Sequence, residues 1–128
     1  MRYFTLTEAS ALLPEARRRI EEVAALSGEL RELLMALQKG ADEPLGGIPE
    51  AKALEARVHE RLEWFDQQGV QVKGIAPALL DFPARVSGEE ILLCWLQGEE
   101  GIGWYHTPQA GFLGRAPIDE LGAPPGEG

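Results

Sequence analysis

The sequence predicts an α+β protein in which a long antiparallel helical hairpin packs on a small antiparallel sheet of three or four strands. Apolar residues recur at helical spacing through the first 68 residues, and short apolar runs separated by turn residues follow. The helices precede the strands instead of alternating with them, which is typical of this class. At 128 residues the chain suits a single domain, which we expect over 1–118 (hairpin 7–68, sheet 69–118), with a flexible Pro/Gly-rich tail over 119–128.

The first helix begins at a threonine N-cap, because Thr5 and Thr7 precede an acidic residue, Glu8, in the first turn. Pro14 is unfavourable deep inside a helix. We therefore expect a short turn over 8–12, then a long helix with Pro14 in its first turn, ending near Lys39 ahead of Gly40. Its apolar seam has two sets of positions: Leu13, Ile20, Ser27 and Leu34; and Ala16, Val23, Leu30 and Leu37.

A glycine- and proline-rich loop over 40–49 separates this helix from a second one, which runs from about Pro49 to Gln68 and stops at Gly69. Two helices joined by a short loop pack antiparallel. The first helix, on the order of 38 Å long, outreaches the sheet. The leucines near its far end then need a cover, and we expect a homodimer that buries at least ~1,000 Å² through the helices. These leucines are Leu30, Leu33, Leu34 and Leu37. The apolar stripe of the second helix is Ala51, Leu54, Val58, Leu62 and Phe65, with Arg61 beside it.

Four strands are predicted, at 70–72, 79–85, 91–96 and 102–106. Pro83 marks the second as an edge strand or the site of a bulge, whereas the apolar 91–96 segment is typical of a central strand. Ser87-Gly88 indicates a hairpin turn, and Glu99-Glu100-Gly101 a second turn with Gly101 in the left-handed conformation.

Charge and composition exclude several classes of function. The chain has 12 basic and 21 acidic residues, a net charge of -9, which is unsuited to nucleic acid. Its one basic run, 17–19, is interleaved with glutamates at helical spacing and is expected to be a solvated face. The longest apolar run, 91–96, is far short of the ~20 residues of a membrane helix. With one cysteine and no apolar leader, we expect a cytoplasmic protein, and the absence of asparagine fits a thermophile or a GC-rich genome.

The helices offer one candidate metal site. Glu55, His59 and Glu63 are spaced by four residues, which places two carboxylates and an imidazole on one helical face. The competing interpretation is a charged, solvated face. Phosphate-binding loops, dinucleotide fingerprints and paired cysteines are missing from the sequence, and no metal or other cofactor is expected.

The sheet offers a second candidate, a polar cluster of Asp81, Cys94, His106 and Arg115. A three-residue loop at 99–101 would set Cys94 opposite His106. If Ser87-Gly88 is a two-residue loop, Asp81 opposes Cys94 and the three residues form a line across three strands. If that loop has three residues, Asp81 points to the other face. The cluster could support nucleophilic chemistry, or Cys94 could be a structural core residue, with Asp81 and Arg115 forming a structural ion pair.

Several separated motifs resemble an uncharacterised bacterial family, the domain of unknown function 2203 family. They are Phe4-Thr5-Leu6-Thr7-Glu8-Ala9 with Leu12-Leu13-Pro14, Leu80-Asp81-Phe82-Pro83-Ala84, Leu93-Cys94-Trp95, and Trp104-Tyr105-His106 with Gly111-Phe112 and Gly114-Arg115. The resemblance covers about residues 3–117. It departs at Ser87-Gly88, where the family favours Asp-Gly, and at Pro77-Ala78. The resemblance implies the fold but no activity, and the cell-division label of some members adds little.

The missing catalytic motifs and the apolar seam favour a non-enzymatic interaction or scaffold protein that self-associates through its helices. The alternative is a small enzyme or ligand-binding protein centred on the polar cluster of the sheet.

Overall fold

The computed structural model describes residues 2–40, 47–122 and 124, and it confirms the α+β class. Two helices pack on an antiparallel sheet of five strands in the order β1-β2-β3-β4-β5, one more than expected. The extra strand is a two-residue segment too short to leave an apolar pattern in the sequence. The elements are α1 (Leu6–Gln38), α2 (Gly47–Gln68), β1 (Gln71–Ile75), β2 (Ala78–Val86), β3 (Glu89–Leu96), β4 (Trp104–His106) and β5 (Ala116–Pro117), with 3-10 turns at Phe112–Gly114 and Ile118–Glu120.

Helix α1 is continuous, so the predicted break ahead of Pro14 is wrong. Thr5 and Glu8 form a capping box: the Glu8 N–H donates to Thr5 Oγ1 (3.0 Å), and the Thr5 N–H donates to Glu8 Oε1 (2.8 Å). Residues Ala9 and Leu13, ahead of the proline, are buried in the core. Their burial offsets the single backbone hydrogen bond that Pro14 cannot donate.

The two helices run antiparallel, as predicted. The Arg19 guanidinium lies over the Trp64 ring at 4.4 Å, and Arg61 pairs with Glu22 at 3.4 Å, so the numbering rises in α1 as it falls in α2. The start of α2, at Gly47, therefore lies beside the end of α1. Residues 41–46, 123 and 125–128 lie outside the described residues. The loop and the part of the tail that were predicted at these positions stay predictions.

Burial along α1 follows the predicted seam only in its first half. The buried residues of α1 end at Val23, whereas Leu34 and Met35 are about half exposed. The remaining seam leucines of the second half, Leu30 and Leu37, are partly buried. The buried residues of α1 are Ala9, Leu13, Ala16, Ile20 and Val23.

The β2–β3 hairpin has the two-residue loop that was one of the predicted alternatives. Val86 pairs with Glu89, and both loop residues, Ser87 (φ 52°) and Gly88 (φ 81°), have the left-handed conformation of a type I′ turn. Strand β3 is central, as expected.

Strand β2 is also internal, although Pro83 suggested an edge or a bulge. Pairing with β1 ends at Asp81, opposite Gln71, so Pro83 lies beyond the end of β1. There the Pro83 carbonyl accepts a hydrogen bond from the Phe4 N–H at 2.7 Å. On the β1 side of β2, Pro83 therefore has no strand neighbour that needs a hydrogen bond from its backbone nitrogen. This explains why a proline is tolerated inside the sheet.

Alternate residues of β2 and β3 supply the hydrophobic core. Leu80, Phe82, Leu93 and Trp95 are buried together with the α1 seam, and Phe4 meets Phe82 edge-to-face at 5.4 Å. Because side chains alternate across a strand, the residues between them, including Asp81 and Cys94, lie on the outer face, opposite the helices. In the described part of the chain, neither helix combines the length and the apolarity that crossing a bilayer requires.

Candidate functional site

The outer face of the sheet brings together three of the predicted site residues. Asp81 on β2 pairs directly with Cys94 on β3, and His106 lies on the adjacent β4. One oxygen, sulfur or nitrogen atom of each residue lies within 4.8 Å of the others. All three side chains are buried, with exposed fractions of 1%, 0% and 4% for Asp81, Cys94 and His106. We call these three residues the outer-face cluster.

The predicted pairing of Cys94 with His106 is wrong by two residues. Cys94 opposes Trp104, and His106 opposes Leu92. Side chains alternate with a period of two, so a two-residue offset leaves His106 on the predicted face. The prediction that His106 lies on the same face of the sheet as Asp81 and Cys94 is therefore correct, although its pairing partner is not.

The offset arises because the turn after β3 is centred one residue earlier than predicted, in a conformation organised by Glu99. Its side chain accepts the Leu96 N–H (2.7 Å), and its backbone carbonyl accepts the Trp95 indole N–H (2.9 Å). The left-handed glycine is Gly98, at φ 103°, and not Gly101 as expected. These side-chain hydrogen bonds replace the tight turn that the sequence indicated.

Hydrogen bonding fixes the proton arrangement of Asp81 and His106. His106 Nδ1 lies 2.9 Å from the Thr107 carbonyl oxygen, which can only accept, so Nδ1 carries a hydrogen. His106 Nε2 lies 3.0 Å from Asp81 Oδ2. A hydrogen bond of that length needs one proton between the two atoms, held either by the imidazolium or by the carboxyl group. The pair is therefore neutral overall in both forms, which suits its burial.

The other oxygen of Asp81 has no partner. Among the described residues, Asp81 Oδ1 is the one buried side-chain nitrogen or oxygen atom without a hydrogen bond. The ammonium group of Lys73, on β1, lies 3.8 Å from Oδ2, and the Lys73 side chain is 47% exposed. A β-bulge between Val72 and Gly74 places Lys73 here. An unsatisfied buried carboxylate oxygen is unusual in folded proteins.

Burial raises the pKa of the Cys94 thiol to about 11, and the adjacent Asp81 carboxylate adds to the rise. Arg115, whose Nη1 lies 4.0 Å from the sulfur, acts in the opposite direction. The thiol is thus protonated at neutral pH. This state disfavours the nucleophilic role considered from the sequence, since the thiolate is the reactive form.

Arg115 reaches the edge of the cluster, but its ion-pair partner is Glu99 and not Asp81, so the predicted Asp81–Arg115 pair is wrong. Two bonds join the guanidinium to Glu99, at 3.2 and 2.8 Å. Arg115 also stacks over Trp104 (4.6 Å) and Phe112 (4.7 Å). Burial is the largest single influence on the pKa of Arg115 and lowers it, but the hydrogen bonds and charge interactions with Glu99 and Cys94 together raise the pKa overall.

Sequence reasoning missed Glu99 and Lys73. Glu99 was interpreted only as a turn residue, although the isolated Arg115 was a signal that some acidic partner was needed. Lys73 gave no signal, because its position depends on the bulge in β1.

The helical candidate has a different setting. Glu55, His59 and Glu63 are exposed side chains on α2. Within the described ranges, the side chains that converge as potential metal ligands are those of the outer-face cluster instead.

Comparison with known proteins adds a family and no activity. A search of curated proteins and a search of solved structures each found no match. The family model described as an uncharacterized conserved protein (DUF2203) matches residues 2–118. This match spans both helices, all five strands and the four predicted site residues of the sheet. The chain therefore belongs to the DUF2203 family.

Proposed function

We propose that the protein is a non-enzymatic scaffold that self-associates through the far end of its helical hairpin. One observation carries the proposal. In the described ranges, four large apolar side chains are exposed, and three of them, Leu34, Met35 and Ile48, belong to the end of α1 and the start of α2. Since the helices are antiparallel, these residues lie at one end of the molecule, which we call the hairpin tip.

The shape of the hairpin tip supports contact with another surface. A groove of about 460 Å³ is lined there by Glu32, Met35, Ala36, Lys39 and Gly40. Exposed apolar surface stabilises association in proportion to the area that is removed from water. A clustered patch of this kind is typical of an interaction site, whereas scattered single apolar residues need no explanation.

The charge pattern supports a second copy of this chain as the occupant. The chain carries a net charge of -9, so two copies repel each other over most of their surfaces. The described segments of the tip, 29–40 and 47–52, carry three basic and three acidic residues, and the sequence between them adds Asp42 and Glu43. The charged residues of the described segments are Arg31, Lys39 and Lys52, and Glu29, Glu32 and Glu50. Basic and acidic side chains alternate along these segments, so charges of opposite sign can pair between two copies that meet at the tip.

The exposed end of a helical hairpin can be buried by packing against the same end of a second hairpin. Two hairpins packed about a two-fold axis form a four-helix arrangement in which the same patch is used by both copies. A stable interface of this kind buries at least ~1,000 Å² in total.

Analytical ultracentrifugation of the full chain tests this proposal. We expect the wild type to sediment as a dimer at micromolar concentration, and Leu34→Glu to weaken association at least about tenfold, because it buries a charge in an apolar interface. Leu113→Glu is the matched control, since Leu113 is 97% exposed and lies on the 3-10 turn at Phe112–Gly114. A monomeric wild type, or equal weakening by both substitutions, contradicts the proposal.

A second function, ligand binding at the outer-face cluster, is favoured by the unpartnered Asp81 Oδ1. A ligand that donates a hydrogen bond or carries positive charge would satisfy this oxygen. Native mass spectrometry of the freshly purified protein checks it, because a retained ligand adds mass to the folded chain. A bare mass under gentle ionisation counts against a tightly held ligand.

A further inference from the structure

We propose that Asp81, Cys94 and His106 bind a divalent metal ion of the zinc class. The inference deepens the ligand-binding function proposed above and is independent of self-association. Three side chains from three adjacent strands converge on one buried point, with candidate ligand atoms within 4.8 Å of one another. The unpartnered Asp81 Oδ1 is a separate observation that points to a missing positive ligand.

The donor atoms select the class of metal. A carboxylate oxygen, a thiol sulfur and an imidazole nitrogen are the three ligand types that Zn²⁺ accepts in proteins. Calcium and magnesium prefer sites made of oxygen atoms, so the sulfur and nitrogen donors favour zinc or cobalt(II) over these cations.

The geometry is close to that of a metal site. His106 Nε2 and Asp81 Oδ2 are 3.0 Å apart. Two ligand atoms at ~2.0–2.1 Å from a tetrahedral ion lie roughly 3.3 Å from each other. An ion can therefore replace the proton between these two atoms with only a small outward movement of the side chains.

Charge balance explains how a buried site can exchange an ion. Without metal, the cluster holds one proton between His106 and Asp81 and one proton on the Cys94 sulfur. One divalent ion displaces both protons, which leave to solvent, and the ion then meets a carboxylate, a thiolate and a neutral imidazole. Net charge is zero before and after, so the exchange leaves no unpaired charge in the buried site.

The surroundings orient His106 for metal binding and favour the thiolate form of Cys94 that binding would produce. His106 Nδ1–H donates to the Thr107 carbonyl oxygen, which is the arrangement that orients a histidine to bind metal through Nε2. The Arg115 guanidinium, 4.0 Å from Cys94 Sγ, stabilises a thiolate there. These contacts come from outside the three ligands and would be conserved on binding.

Lys73 is the half-exposed residue that lies between the Asp81 carboxylate and solvent. Its ammonium group lies 3.8 Å from Asp81 Oδ2 and its side chain is half exposed, so an entering cation would take the place of a positive charge that is already near the carboxylate. Three protein ligands also leave one tetrahedral position open, as in zinc sites that bind water or substrate.

Titration of the chelator-treated full chain with Co²⁺, followed by competition with Zn²⁺, tests the site. We expect one Co²⁺ per chain, with the near-ultraviolet charge-transfer absorption of a thiolate–cobalt bond, and displacement by Zn²⁺. Cys94→Ser should abolish this absorption and weaken Zn²⁺ binding at least about tenfold, since it removes a ligand. Circular dichroism verifies that the variant is folded.

The chain offers a matched control, because His59 is its only other histidine and is exposed on α2. His59→Gln should bind Co²⁺ and Zn²⁺ like the wild type, whereas Lys73→Met should bind Zn²⁺ a few-fold more tightly. X-ray absorption of the zinc-loaded wild type provides a readout that needs no variant, with one sulfur expected among the ligands. Absence of saturable binding, a first shell without sulfur, or loss of binding in His59→Gln overturns the proposal.

Discussion

The outer-face cluster and the hairpin tip depart in opposite ways from the usual distribution of residues. In the cluster an acid and a histidine, Asp81 and His106, are almost completely buried, while at the tip Leu34 and Met35 are about half exposed. Charged residues are rarely buried without partners, and clustered apolar residues are rarely left in water. Burying polar groups in the cluster and exposing apolar side chains at the tip are both unfavourable for the stability of the folded chain.

The two costs are resolved differently. In the cluster, most of the cost of burying Asp81 is offset within the chain, because His106 and Lys73 lie beside its carboxylate. Only Asp81 Oδ1 has no partner. The tip has no comparable internal solution in the described residues. This difference is the reason why we propose a small ligand for the cluster and a second protein surface for the tip.

The largest effect is expected from Asp81→Ala, which tests whether the cluster is internally balanced. The substitution leaves His106 buried without its 3.0 Å partner, and we expect a loss of roughly 3–5 kcal/mol in the free energy of unfolding. Denaturant unfolding monitored by circular dichroism measures it. Lys73→Met is the control, since it removes a half-exposed partner at 3.8 Å and should cost no more than about 1 kcal/mol. Equal losses in both variants would show that the buried pair is not special.

The second prediction compares two positions of the same apolar seam. Ile20 is 1% exposed and Leu34 is 48% exposed. Ile20→Ala should lower the free energy of unfolding by about 2–5 kcal/mol, through lost burial and a cavity. Leu34→Ala should cost less than about 1 kcal/mol in dilute protein.

Raising the protein concentration sharpens this comparison. If Leu34 is covered by a second copy, the cost of Leu34→Ala grows with concentration, because association stabilises the wild type. The cost of Ile20→Ala should stay the same. A large, concentration-independent cost at Leu34 would place it in the core of the single chain and break the contrast.

The smallest effect is expected from the alkaline titration of Cys94. The thiol pKa is about 11 in the folded protein, against an ordinary value of 9.0, because burial disfavours the thiolate. Between these values the unfolded chain releases the proton and the folded chain retains it, so stability is full below pH 9 and declines as pH rises towards 11. Comparing unfolding midpoints at about pH 8 and about pH 10.5 measures the decline. Cys94→Ser should decline less, and an identical decline would contradict a buried thiol.

Local sequence patterns predicted much of the architecture. The threonine cap, the antiparallel hairpin and the central apolar strand are all confirmed. The low helix propensity of proline does not break α1 at Pro14, because Ala9 and Leu13, ahead of it, are buried in the core. The β2–β3 register was one of two stated alternatives, since a Ser-Gly turn allows a two- or a three-residue loop.

The candidate site was predicted in part, because the face on which a strand residue lies follows from local alternation. Period-two alternation kept His106 on the correct face even though its register was wrong by two residues. The isolated Arg115 indicates an acidic partner, but the sequence does not show that Glu99 is that partner, because its hydrogen bonds to Leu96, Trp95 and Arg115 exist only once the loop has closed.

The sequence by itself determined the class of the fold, the C-terminal ends of the helices and the alternation that separates the core from the outer face, because these depend on periodicity and on nearest neighbours along the chain. Only the tertiary structure decided that Asp81, Cys94 and His106 meet, that Arg115 pairs with Glu99, and that the α1 seam is covered as far as Val23. Those facts depend on loop lengths, a bulge and the extent of the sheet. A change of one or two residues in any of these moves side chains by several ångströms without altering the local pattern.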